Sequence, residues 1–180
     1  TDQGAYDTFY GTVDPGWLEH FHRIFYEQRD TARAVDLHGW LDLHMGYPPF
    51  LDLLRRRAGD ARIALATAKD RRSAELLLAH LGVGDLFPPE SILDKETGVS
   101  KTAHLSALHE LLGVPFAEIT FVDDKVNHLD AVAPLGVRCG LATWGFNGMR
   151  EHELAIRRGY VMLTLENLDE KLFAEVPAAR

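Results

Sequence analysis

From residue 63 onward, short apolar runs alternate with amphipathic helical patterns, and that alternation leaves the chain few folds to choose from. Ile63-Ala64-Leu65-Ala66, Ser91-Ile92-Leu93 and the runs 118–122, 137–141 and 160–163 each read as a strand. Between them, Asp70 caps a helix whose Ala74, Leu77, Leu78 and Leu81 share one face before Gly82. Ser100 caps another, carrying Leu105, Leu108 and Leu112 and stopped by Gly113 and Pro115. A shorter helix is predicted over 127–133 and a weaker one near Glu153. Strands joined through helices of this length predict an α/β fold, a Rossmann-like parallel sheet with helices on both faces. Ligands of such sheets sit at the carboxyl ends of the strands, so the residues just past each strand carry the functional information.

The preceding residues follow a different pattern. Asp14-Pro15 reads as an N-cap with proline in the first turn, and Trp17, Phe21, Ile24 and Phe25 recur at helical spacing to about Arg29. A second helix is predicted over 31–45 with Val35, Trp40 and Leu41 on its buried side, broken by Gly46-Tyr47-Pro48-Pro49. Phe50, Leu53 and Leu54 mark a short third helix. The expected organisation is a helical, cap-like segment over 1–46 and an α/β core over 47–180. Aromatic residues at helical spacing, Trp17 and Phe21 among them, are read as packing rather than as a ligand pocket.

Composition excludes several classes of partner. The 180 residues carry a formal net charge of -8, and the basic residues are scattered apart from short runs such as Arg55-Arg56-Arg57 and Arg71-Arg72, so no basic face suited to nucleic acid is expected. Cys139 is the only cysteine, which rules out an intrachain disulfide and a thiolate metal cluster. No apolar run approaches the length of a membrane span, and TDQGAYDTFY has no signal-peptide pattern, so a cytoplasmic protein is expected. The pairs His20/His22 and His38/His44 offer no third ligand and are read as ordinary helix residues. Monomer and homodimer are both open.

Three groups at strand and helix ends remain. Thr67 directly follows the first strand and, with Ala68 and Lys69, leads into a helix start where unpaired N–H groups suit an anion; a plain turn threonine is the alternative. Lys101 opens a helix, where the macrodipole disfavours a cation, so either an anion compensates it or it points into solvent. Asp123-Asp124 follow a buried strand: two adjacent carboxylates there suit a hard divalent cation, or one of them caps the next helix.

A receiver domain of a phosphorelay shares these residue types, but there the acidic pair comes first in the chain. The order Thr67, Lys101, Asp123-Asp124 resembles the haloacid-dehalogenase-like (HAD) hydrolase superfamily, over about residues 48 to 142. "IALATAKD" is similar to its second motif, "GVSKTAHLSAL" to its third and "ITFVDDKVNHLDAVAPLGVRC" to its metal-binding fourth, and the nearest resemblance is to magnesium-dependent phosphatases whose fourth motif begins with two aspartates. The resemblance implies an HAD-like core with a small helical cap and a Mg²⁺-dependent phosphohydrolase acting on a small phosphorylated metabolite through an aspartyl-phosphate. It further implies that Thr67 binds the phosphoryl group, with Ala68 and Lys69 beside it, and that Lys101 steadies the nucleophile. Asp124 becomes the direct Mg²⁺ ligand with Asp123 beside it, and Asn127 or His128 holds the outer shell.

The nucleophile motif of that family, an apolar strand ending in Asp-x-Asp, is not found; Asp2, Asp7 and Asp14 follow no apolar run. In the family that strand lies between those ending at Thr67 and Asp123, and without it two rows of backbone groups go unpaired. The expectation is therefore that an upstream segment supplies it. His128, where the fourth motif has Asp or Asn, and the missing nucleophile support an alternative: a catalytically inactive relative that binds a ligand or partner.

Overall fold

In the computed structural model, residues 3–98 and 100–173 are described. The chain divides into two compact units, Thr1–Met45 and Gly46–Arg180.

Among the described residues the first unit holds three helices: α1 (Gln3–Tyr10), α2 (Pro15–Val35) and α3 (Leu37–Asp42). Asp14 caps α2 as the sequence predicts, accepting from Trp17 N. The expected break near residue 30 does not occur. No glycine or proline interrupts the run there, and an Asp30–Arg33 ion pair at 3.2 Å supports the turn. The break comes at Asp36, whose N–H donates to Ala32 O to close α2 and whose carboxylate then caps α3 by accepting from Gly39 N. The packing expected of the aromatic stripe is not found: Trp17 is 73% and Phe21 60% exposed, and α2 has no buried residue among those described. Trp40 and Leu41 are buried as expected, whereas Val35 is exposed. The helix over Gln3–Tyr10 has no counterpart in the sequence reading.

The second unit begins with α4 (Pro48–Arg57) and then alternates strand with helix: β1 (Leu65–Ala66), α5 (Arg71–His80), β2 (Ile92–Leu93), α6 (Lys101–Leu112), β3 (Thr120–Asp123), α7 (Val126–Val132), β4 (Arg138–Ala142), α8 (Met149–Arg158), β5 (Val161–Leu163) and α9 (Leu168–Leu172). Every strand pair is parallel, which bears out the α/β reading. The strands form two ladders. β1 pairs with β2, Leu65 opposite Ile92, and β3, β4 and β5 follow in that order, Asp123 opposite Leu141 and Gly140 opposite Val161. Among the described residues no ladder joins β1 to β3.

Packing explains the ladders. Leu105 of α6, Val126, Leu129 and Val132 of α7 and Ala155 of α8 close over Phe121, Cys139 and Leu141 of β3 and β4. Ala74 and Leu78 of α5 close over Ile92, with Leu65 at their margin. Leu53 of α4 and Leu168 of α9 meet Leu163 of β5. Each fully buried leucine contributes about 1.5–3 kcal/mol relative to exposure, so the apolar periodicity of these helices sets which way each faces. Gly113 ends α6 at φ 62°, a conformation costly for any residue with a Cβ. The chain then turns through Pro115 into β3, which delivers Asp123 and Asp124 at its carboxyl end.

Candidate active site

Thr67 sits where β1 hands over to α5. Its backbone N–H donates to Leu93 O at 2.8 Å, and its hydroxyl oxygen accepts from Lys69 N at 3.1 Å. The oxygen thus closes a short turn while the hydroxyl hydrogen is left to donate elsewhere. Asp70 caps α5 by accepting from Ser73 N at 2.9 Å. Residues 67–70 therefore wrap the amino end of a ten-residue helix, the geometry in which backbone N–H groups and the helix dipole favour an anion.

Lys101 is the first residue of α6, behind the cap Ser100, which accepts from Ala103 N. Its ammonium does not snorkel into solvent; it runs inward to donate to Ala66 O at 2.6 Å and stands 3.9 Å from Asp123 Oδ2. The side chain is 16% exposed and that of Asp123 12%. Burial lowers the Lys101 pKa from its ordinary value, and the charges of Asp123 and Asp124 only partly offset this. One cation thereby links the end of β1 to the end of β3.

Asp123 is held on several sides. Its Oδ1 accepts from Lys125 N at 2.9 Å and from His128 Nδ1 at 3.0 Å, so that ring nitrogen is the donor. Burial acts to raise the Asp123 pKa, but the His128 hydrogen bond and charge, the Lys125 N–H and the Lys101 charge outweigh it and leave the carboxyl below its ordinary range. His128 thus meets Asp123 directly, one turn into α7. Asn127, its neighbour on that helix, is exposed.

Asp124 faces another way. Its Oδ2 accepts from Phe146 N at 2.7 Å, in the loop after β4. Asn147 Nδ2 donates to Asp124 O at 3.0 Å, and a Cβ on Gly145 would lie 2.2 Å from Asp124 Cβ. Among the described residues Asp124 Oδ1 accepts no hydrogen bond and Asp124 has no ion-pair partner. Two adjacent carboxylates beside the Lys101 ammonium, with Asp124 Oδ1 accepting no hydrogen bond among the described residues, make a donor set that fits a hard cation such as Mg²⁺, which takes one or two protein carboxylates and keeps water or phosphate oxygens besides. Among the described residues no cluster of three or more His, Cys, Asp or Glu side chains could hold a metal ion.

Loop 143–148 was not singled out from the sequence. "TWGFNG" has the composition of an ordinary turn, and its tie to Asp124 spans 22 positions. The buried His104 was also missed: its Nε2 donates to Asp94 O and Gly98 O at 3.0 and 2.8 Å, tying down the loop between β2 and α6. That loop carries Asp94, which binds Arg71 Nε at 2.7 Å and accepts from Glu96 N, Thr97 N and Thr97 Oγ1. No described helix is long and apolar enough to cross a membrane.

Comparison with known proteins bears on the family and the fold. Residues 3–136 match the haloacid dehalogenase-like hydrolase family. Phosphoglycolate phosphatase 1 of Pseudomonas aeruginosa is 28% identical over 165 residues, covering 87% of this chain; the chain spans 58% of that relative's length. A haloacid dehalogenase-like family hydrolase from Streptococcus pneumoniae has the same fold, with a TM-score of 0.73 at 13% identity over 92% of this chain and 75% of its own.

Proposed function

Because the chain belongs to the haloacid dehalogenase-like hydrolases, we propose that it works as a Mg²⁺-dependent phosphohydrolase on a small phosphorylated metabolite, through an aspartyl-phosphate. The observation that carries this reading is the reach of Lys101 from Ala66 O to Asp123, which sets one ammonium between the strand end bearing Thr67 and the carboxylate pair. The phosphatase named among its relatives supports the same class of substrate.

In this reading the Thr67 hydroxyl and the N–H groups at the start of α5 hold the phosphoryl oxygens. Lys101 offsets the negative charge gathered between the attacking carboxylate and the phosphate. Asp124, with Asp123 beside it, would hold Mg²⁺, and the ion would supply charge neutralisation at the phosphoryl group. His128 keeps Asp123 oriented through Oδ1, and Asn127 beside it is read as an outer-shell position. The attacking carboxylate that this reading calls for would stand in the interval flanked by β1 and β3, and the role is assigned to none of the described residues. Attack on phosphorus forms the aspartyl-phosphate and breaks the ester P–O bond, the leaving oxygen taking up a proton and departing as the alcohol; water then cleaves the aspartyl-phosphate, returning the carboxylate and releasing inorganic phosphate. The helical unit is read as a cap, and a cytoplasmic setting accords with this chemistry.

Steady-state assays with small phosphate esters, with and without Mg²⁺, test the proposal. Turnover is expected only with the metal, and Asp124→Asn is expected to lower kcat/KM by at least about 100-fold. Undiminished turnover by Asp124→Asn would overturn the mechanism. A second reading, a relative that binds its ligand without turnover, is favoured by His128, whose imidazole takes up Asp123 Oδ1. Phosphate-ester binding by calorimetry with no release of inorganic phosphate would support it instead.

A further inference from the structure

The geometry points to loop 143–148 as a positioning device for Asp124, with Asn147 its positioning residue, setting how tightly the carboxylate pair takes a divalent cation. This rests on the proposed reading of Asp124 as a Mg²⁺ ligand.

Consecutive residues of the loop grip Asp124 at both ends. Phe146 N–H holds Oδ2 at 2.7 Å, and Asn147 Nδ2 holds the backbone carbonyl at 3.0 Å. Gly145 packs so closely on Asp124 that a Cβ there would approach Asp124 Oδ2 to 2.7 Å as well as its Cβ to 2.2 Å. Committing Oδ2 to a backbone donor fixes the plane of the carboxylate and turns Oδ1 into the oxygen available to a cation.

The loop can impose that geometry because it is anchored elsewhere. Thr143 N and Thr143 Oγ1 both donate to Leu163 O, at 3.0 and 2.7 Å. Trp144 lies against Phe50, ring centroids 5.9 Å apart. Asn147 is locked in one orientation: its Nδ2 donates to Ala142 O at 2.8 Å as well as to Asp124 O, and its Oδ1 lies 2.6 Å from His152 Nε2 on α8. With both amide hydrogens facing carbonyls, Oδ1 is the acceptor and the imidazole donates to it. A line of hydrogen bonds therefore runs from α8 through His152 and Asn147 to Asp124. Outer-shell partners of this kind typically govern metal affinity or activity by 10- to 100-fold.

The test measures Mg²⁺ affinity by isothermal titration calorimetry, protection of the Phe146 amide by hydrogen exchange without metal, and urea stability, for wild type, Asn147→Ala, His152→Leu, His152→Gln and Asp124→Asn. Asn147→Ala is expected to weaken Mg²⁺ binding by about 10-fold or more and to strip protection from Phe146. His152→Leu is expected to act in the same direction and His152→Gln, which keeps an N–H donor, to restore both readouts. A purely structural role would lower the urea midpoint of both His152 variants and leave the Mg²⁺ affinity of the folded protein unchanged, and that result overturns the inference. If Asn147→Ala does not fold, the His152 pair decides. If Asp124→Asn binds Mg²⁺ as wild type does, the reading of Asp124 as a metal ligand fails; retained Phe146 protection in Asn147→Ala and His152→Leu would overturn the positioning role.

Discussion

Lys101 Nζ stands 3.9 Å from Asp123 Oδ2 while donating to Ala66 O at 2.6 Å, so a helix-start lysine whose charge opposes the helix dipole is compensated from two strand ends. Replacing it removes the ammonium that joins Ala66 O to Asp123. Lys101→Met is expected to lower kcat at least about 100-fold with a smaller change in KM, the signature of a group acting on developing charge. Lys101→Arg should not rescue turnover, because a planar guanidinium with its forked donors does not reproduce the point charge that Nζ sets between Ala66 O and Asp123. Steady-state kinetics of the two variants check this, and a functional Arg variant would count against it.

Thr67 is tied by its backbone to Leu93 O and by its hydroxyl oxygen to Lys69 N. Thr67→Ser keeps the hydroxyl and should behave close to wild type. Thr67→Val removes both the turn acceptor and the donor, and kcat/KM for a phosphate ester should fall on the order of 10-fold or more. Weaker competitive inhibition by inorganic phosphate in the Val variant alone would confirm that the hydroxyl meets the phosphoryl group.

Asp94 supplies the pH dependence. Burial acts to raise its pKa, but the Thr97 N–H, the Arg71 side chain and the Thr97 hydroxyl hold it below the ordinary aspartate value. A depressed folded-state pKa means stability that is present above the unfolded pKa of about 3.9 and lost as pH falls through the folded value. Asp94→Asn should therefore cost about 1–3 kcal/mol near neutral pH. Urea unfolding of both proteins should show the gap closing as pH drops below about 4, and a gap constant down to strongly acid pH would contradict this.

Gly145 has no room for a side chain, since a Cβ would lie 2.2 Å from Asp124 Cβ. Gly145→Ala is expected to destabilise the protein by about 1–3 kcal/mol through overpacking. It should also reduce turnover at least 10-fold by displacing Asp124. The same substitution at Gly59, where a Cβ would meet nothing within 4 Å, should do neither, which gives thermal melts and kinetics a matched control.

Much of this site lies in short-range pattern. The caps at Asp70 and Ser100 and the helix end at Gly113 depend on neighbours within a few positions and are found in the structure, while the strand read over 118–122 is found as Thr120–Asp123, behind a 3-10 turn at Phe116–Glu118. The order Thr67, Lys101, Asp123-Asp124 is legible for the same reason, since each residue follows a local strand or helix boundary. Where local cues are balanced, the sequence misleads: the apolar spacing of α2 suggested a break near residue 30, whereas the chain runs on to Val35 until Asp36 offers a cap.

By itself, then, the sequence determined the alternation of strand and helix, the ends at which polar groups stand, and the family that their order resembles, because these follow from hydrogen-bond periodicity and capping within a turn or two of chain. Tertiary structure alone decided which groups meet. Lys101 turns inward to a carbonyl 35 positions away, His128 folds back on Asp123, and a glycine-flanked loop 22 positions downstream sets the plane of Asp124. The contacts to Ala66 and from Phe146 require helices packed on β3 and β4 and on β1, and burial, not local propensity, selects that packing.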